Sequence, residues 1–209
     1  MHEYLVPAGA GEAEFTEKRS RFLGHVFPVG SEEEARARIE QVKKCHHDAR
    51  HNCWCFRLKA AGAERYSDDG EPQGTAGQPM LGVFQKEGVW NVCCVVTRYF
   101  GGILLGAGGL VRAYSQSAKD ALNAAGIAQV RRWTRGAVVC PYALFERVKL
   151  EAERAGGVPG EITYTDSVRL ELLLPQAAAE PFSARITELT AGSVRLEVLE
   201  EVYRADGGK

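Results

Sequence analysis

The run Val92-Cys93-Cys94-Val95-Val96 offers no polar position to either side of an extended chain, so the strand carrying it, Trp90 to Phe100, belongs in the centre of a sheet. Five of the nine residues from 101 to 109 are glycine, and a helix from Leu110 to about Ala125 follows. Leu110, Tyr114, Ala118, Ala121, Leu122 and Ala125 share one face of it, and Gly126 closes it. Upstream, Phe15 to Val29 reads as a hairpin or bent strand with polar Glu17-Lys18-Arg19-Ser20-Arg21 inside it. Ser31, with Glu34 as its capping-box partner, opens a helix whose inner face is Ala35, Ile39 and Val42. Cys53 to Leu58 is a short aromatic strand, and residues 59–79, dense in Gly and Pro, read as a long irregular loop running into a short helix around Thr75 to Val83. Ile127 to Trp133 forms a further strand.

From Gly136 onward the rhythm is strand, helix, strand, strand, helix, strand, the split β-α-β-β-α-β pattern of a ferredoxin-like domain. The fold expected is therefore α+β in two domains, 1–133 and 134–209, joined in the polar stretch Arg131 to Gly136. Chemistry concentrates in the first, which holds all five histidines, five of the six cysteines and 16 of the 23 glycines. There, 17 basic residues stand against 15 acidic ones, and from Thr134 on, 9 against 12. The net charge of −1 supplies no global attraction to nucleic acid, so such binding requires a local basic patch. No stretch approaches the ~18 apolar residues of a membrane span, and the opening residues lack a basic segment followed by an apolar one. The expectation is a cytoplasmic protein with reduced thiols and no membrane partner.

Three constellations carry possible chemistry. Gly101, Gly102, Gly106, Gly108 and Gly109 lie between the buried strand and a helix N-terminus, where exposed N–H groups and the helix dipole favour an anion. Arg98 and Tyr99 precede this loop and Arg112 follows in the first helical turn. The loop is no P-loop, since Ala107-Gly108 replaces Lys-Ser/Thr, and no dinucleotide fingerprint, since Val111 stands where glycine is needed. Tight turns and close helix packing are the alternative use of such glycines. In Asp68-Asp69-Gly70-Glu71, followed by Thr75-Ala76-Gly77, three carboxylates in four positions suit Mg²⁺ beside a phosphate, acid–base work, or simply a turn. Cys45 to Cys55 holds six soft ligands, but a helix end running into a strand scatters them, so no metal is expected there.

The segments Lys18-Arg19-Ser20-Arg21-Phe22 and Asp48-Ala49-Arg50-His51-Asn52-Cys53, the run from 67 to 80, and Val96 to Gly102 through Gly109 to Tyr114 resemble the bacterial YigZ branch of the IMPACT family. The resemblance spans nearly the whole chain. It implies a first domain similar to the second domain of a small-subunit ribosomal protein, a fold shared with GHMP-group kinases and elongation factor G. The ferredoxin-like second domain is similar to the C-terminal domain of that factor, so both likenesses lead to the ribosome. The leading reading is a non-enzymatic module, free of cofactors, that binds RNA, the ribosome or a translation-associated protein. Its contacts would be the glycine loop, Arg98, Tyr99, Arg112, His51, Lys18, Arg19 and Arg21. One alternative is an enzyme handling a nucleotide or other phosphorylated small molecule, with Mg²⁺ on Asp68, Asp69 and Glu71 beside Gly70, Thr75 and Gly77. Against a kinase, Gly109-Leu110 is followed by Val111-Arg112-Ala113 without the serines of the GHMP loop. The other alternative is a protein scaffold with no anion site.

Overall fold

The computed structural model describes residues 3–205. Tyr4–Gln129 form one compact unit and Val130–Arg204 a second. The first carries β1 (Tyr4–Pro7), β2 (Gly11–Glu17), β3 (Ser20–Pro28), α1 (Glu32–Cys45), β4 (His51–Leu58), β5 (Ala63–Ser67), α2 (Gly77–Lys86), β6 (Val92–Tyr99) and α3 (Ala107–Ala125). Its five-stranded antiparallel sheet runs β2-β3-β6-β4-β5, which puts the doubly apolar strand in the middle. Side chains alternate across β6: Val92, Cys94 and Val96 pack with residues of α2 and α3, while Cys93 and Val95 pack with Ala35, Ile39 and Val42 of α1. The unit is thus three layers, with one helix on one face and two on the other.

Local chemistry fixes each helix. Ser31 Oγ accepts the Glu34 N–H at 3.1 Å, and the Glu34 carboxylate reaches back to the Gly30 N–H at 2.7 Å, one residue beyond the usual capping box. Tyr114 of α3 is fully buried and meets Phe22 edge-on with ring centroids 5.4 Å apart. The helix comes so close to β3 that a Cβ on Gly24 would lie 2.5 Å from the Ser117 carbonyl oxygen.

Two expectations are corrected here. Residues 59–79 are not wholly irregular, because Ala63–Ser67 pairs with Trp54–Leu58 as β5. No residue of that edge strand is fully buried, so it left no hydrophobic alternation to read. Second, α3 begins at Ala107, which takes Gly108 and Gly109 out of the loop and into its first turn.

The second unit contains most of β7 (Ile127–Cys140), then α4 (Tyr142–Arg154), β8 (Val158–Tyr164), β9 (Val168–Pro175), α5 (Gln176–Leu189) and β10 (Leu196–Ala205). β9 lies antiparallel between β7 and β8, and β10 also pairs β7, as a split β-α-β-β-α-β unit requires. Its own core gathers Val138, Phe145, Val148, Leu170, Leu172, Phe182 and Ile186. The polar joint expected at 131–136 is instead continuous strand: Trp133 to Gly136 pair with Pro175 to Leu172. Gly136, the last residue of that expected joint, marks the close approach of β10, since a Cβ there would lie 2.7 Å from Leu196 Cδ1. Among the described residues no helix is long and apolar enough to cross a membrane.

Two glycine substitutions separate packing from propensity. Gly24→Ala should destabilise by roughly 1–3 kcal/mol through overpacking. Gly82→Ala, inside α2 with nothing within 4 Å of the added methyl, should gain up to about 1 kcal/mol. Urea unfolding of both variants measures the difference, and equal effects would contradict the packing of α3 on β3.

Candidate functional site

At the end of β6 the chain buries an ion pair. Glu71, with a side chain 4% exposed, accepts from Arg98 Nη1 at 2.7 Å and from the Tyr114 hydroxyl at 2.8 Å, both on Oε1. Arg98 Nη2 donates to Ser20 Oγ at 3.3 Å, and the guanidinium carbon lies 5.5 and 5.4 Å from the centroids of the Phe22 and Phe100 rings. Its Nε is buried without a protein acceptor. Burial above all, then the nearness of Cys53 and Glu71, holds the Tyr114 phenol far above its ordinary pKa, so it remains a donor.

The other carboxylates of the acidic loop diverge from Glu71. Asp68 accepts the N–H groups of Gly74, Ala76 and Gly77 at 2.8–3.1 Å and so caps α2, whose first turn has no side-chain cap from Ala76. Asp69, at φ +42°, accepts the Asn52 N–H at 2.8 Å and pairs with Lys43 at 3.2 Å. Its carbonyl lies 2.9 Å from His51 Nδ1. A carbonyl only accepts, so Nδ1 carries a proton, and Nε2 lies 3.9 Å from Glu71 Oε1. Thr75 is buried and donates to the Pro72 carbonyl at 2.6 Å. Gly70, at φ +85°, lets the chain turn beneath the His51 ring. Among the described residues no three His, Cys, Asp or Glu side chains converge as a metal cage. Burial raises the Cys53 thiol pKa strongly, and its Sγ donates to the Asp68 carbonyl at 2.9 Å, an inert thiol rather than a nucleophile.

A cleft of about 400 Å³ opens above the ion pair, walled by Arg50, His51, Glu71, Arg98, Phe100 and the segment from Leu104 to Ala107. It lies at the start of α3. Gly106 is the N-cap at φ +72° with no side-chain cap, and the first turn of the helix is closed by the Leu110 N–H on the Gly106 carbonyl at 3.0 Å. The N–H groups between them have no intrahelical acceptor, which makes this an anion-binding geometry.

The structure brings Arg98, His51, Gly70, Glu71 and Gly106 together around this cleft. Arg112 and Lys18 line a neighbouring depression, and Leu105 borders both. Tyr99 projects to the α1 face, where its hydroxyl lies 3.0 Å from His46 Nδ1 and donates to Asp48 at 3.0 Å. Arg21 turns to that face as well, paired with Glu14 at 2.8 and 3.1 Å and stacked over Tyr99. Gly101 closes on the turn of the β2–β3 hairpin, its N–H donating to Ser20 Oγ at 3.2 Å, and Gly102 follows at φ +84°. Sequence reasoning missed Ser20 and Tyr114 as partners of the ion pair. The one available signal was a tyrosine hydroxyl on an otherwise apolar helix face, which must find a partner once buried.

Fold and site together define a two-domain α+β protein: a three-layer domain with a buried Arg–Glu–Tyr cluster under an open helix N-terminus, then a ferredoxin-like domain. Residues 18–122 match the Impact N-terminal domain, and residues 138–193 match a domain of unknown function, DUF1949. The chain belongs to the IMPACT family. It is similar to the IMPACT family member YvyE of Bacillus subtilis (strain 168), with 37% identity over 204 residues covering 97% of this chain and 94% of YvyE. It is 35% identical to the IMPACT family member YigZ of Escherichia coli (strain K12) over 204 residues, covering 96% of this chain and 100% of YigZ. A crystal structure of a hypothetical protein shares 34% identity at a TM-score of 0.61, covering 96% of this chain and 98% of that one.

Removing one member of the ion pair should be costly. Arg98→Ala leaves Glu71 buried without a counter-ion and should destabilise by roughly 3–5 kcal/mol in urea unfolding, and Arg98→Met with Glu71→Gln should recover most of it. A loss below about 1 kcal/mol, the range of an exposed pair, would contradict this burial. The thiols give a second check, because Cys45 is exposed and the other five are buried. One thiol should react rapidly with an aromatic disulfide reagent in the native protein and all six after unfolding. A second fast thiol before unfolding would contradict the packing.

Proposed function

We propose that the protein is a cytoplasmic binding module of the translation machinery that takes a phosphate of single-stranded RNA at the N-terminus of α3. The observation that carries this reading is the uncapped first turn of α3 opening into a cleft lined by Arg98, a residue whose buried Nε has no protein acceptor. Arg50 lines the same cleft and has no hydrogen-bond or ion-pair partner among the described residues. Phe100, 40% exposed, offers a ring face on which a base can stack beside that phosphate. RNA is favoured over DNA-duplex or lipid partners because the site is a single cleft with an aromatic platform rather than a broad basic face. The likeness of both domains to folds used around the ribosome favours RNA of the translation apparatus.

Fluorescence anisotropy with a labelled single-stranded RNA tests this. The wild type should bind at low salt and weaken as salt rises, with a slope of about −0.7 per phosphate contacted. Arg50→Ala should weaken binding by roughly 1.5–3 kcal/mol, the range of a charge-assisted hydrogen bond. Phe100→Ala should cost roughly 1–3 kcal/mol, the range for one stacked base. A wild type that binds no RNA at low salt, or both variants binding like it, would overturn the proposal.

One observation favours a second reading, an enzyme acting on a phosphorylated molecule: His51 lines the cleft with its Nδ1 proton held by the Asp69 carbonyl. On that reading a phosphorylated substrate is turned over by the wild type and not by His51→Gln. Absence of turnover in the wild type across nucleoside phosphates and RNA would remove it.

A further inference from the structure

Glu17 and Ser20 are register partners in the β2–β3 hairpin, so Lys18 and Arg19 alone form its turn, at φ +45° and +66°. Such a turn strongly prefers Asn-Gly, because left-handed backbone is unfavourable for other side chains. This chain places two cations there and holds them. Ser20 Oγ ties the turn to Gly101, and a Cβ on Gly101 would lie 2.1 Å from the Arg19 carbonyl carbon, so the turn rests directly on the segment before α3.

Lys18 and Arg112 line the depression of about 260 Å³ that adjoins the cleft, with Leu105 forming the border between them. Lys18, Arg19 and Arg112 have no hydrogen-bond or ion-pair partner among the described residues. Neighbouring cations are matched: Arg21 with Glu14 on the same hairpin and Lys119 with Glu87 beside the same helix. One carboxylate, Glu17, lines the depression, which leaves it net positive. Because α3 begins at Ala107, Arg112 falls in its second turn and not in the first turn expected from the sequence.

We propose that this depression is a second phosphate subsite, so that the site takes an RNA strand with phosphates on either side of Leu105 rather than a lone nucleotide. The inference rests on the RNA reading above. Two independent cation groups on either side of Leu105 suit a chain with regularly spaced charges.

The test compares a labelled uridylate octamer, read by anisotropy, with uridine monophosphate, read by chemical-shift titration. Lys18→Ala with Arg112→Ala should weaken octamer binding at least about tenfold and flatten its salt slope by about 1.4, two contacts at ~0.7 each. Binding of the monophosphate in the cleft should be unchanged. Lys18→Asn with Arg19→Gly should raise thermal stability by relaxing the turn and still weaken the octamer, which separates loss of charge from loss of fold. If the wild type binds the octamer and these variants keep its affinity and salt slope, the second subsite is wrong while the RNA reading stands. Equal losses for octamer and monophosphate would also overturn it. A wild type that binds an acidic peptide but neither RNA probe would remove both proposals.

Discussion

A carboxylate and a guanidinium share a place from which water is excluded, and that pair organises the first domain. Each charge costs several kcal/mol to desolvate, so the pair is tolerable only because its remaining polar atoms are almost all answered. Tyr114 donates to Glu71, Ser20 accepts from Arg98, and two aromatic rings lie near the guanidinium. These partners come from the central strand, the acidic loop, the long helix and the first hairpin. A well-packed apolar substitute would be as stable or more so, so the pair contributes position more than net stability. The one atom left unanswered is Arg98 Nε, which is buried without an acceptor.

The acidic loop shows how a cluster of like charges is divided among unlike tasks. Asp68 serves the first turn of α2, Asp69 fixes the start of β4 and the His51 ring, and Glu71 serves the ion pair. Three carboxylates within four residues would repel one another if they shared a site, and distributing them over separate N–H and cationic partners removes that cost. The turn that splits them has Asp69 and Gly70 both in left-handed conformation, closed by the Glu71 N–H on the Asp68 carbonyl at 2.9 Å.

Much of this architecture was open to reading in advance wherever a period was involved. The apolar run of β6 declared its central place, Ser31 and Glu34 declared the start of α1, and the second domain declared its strand and helix order. β5 stayed hidden because an edge strand with no buried face carries no alternation, and β7 reads as two strands because the polar residues of Arg131 to Gly136 look the same in a linker and in a continuous strand. For the site, composition located the cleft but not its circuitry. Arg98 and Arg112 are equivalent letters on either side of one glycine run, yet one is sealed against Glu71 and the other faces solvent. That difference is set by contacts across 27 residues of chain, which no local window contains.

The distribution of sulfur has a consequence for how this molecule ages. Five of its six thiols are shut inside the fold, and the adjacent pair Cys93-Cys94 sits in the central strand with Cys55 across from Cys94. Burial raises the pKa of Cys55 and Cys93, which keeps them from exchange while the sheet is intact. Any opening wide enough to admit oxidant releases several neighbouring thiols at once, and mixed disulfides formed in that interval block re-closure. Folding therefore acts as the protecting group for the chain's own sulfur chemistry, and in an oxidising medium its lifetime is governed by how often the sheet opens rather than by its equilibrium stability.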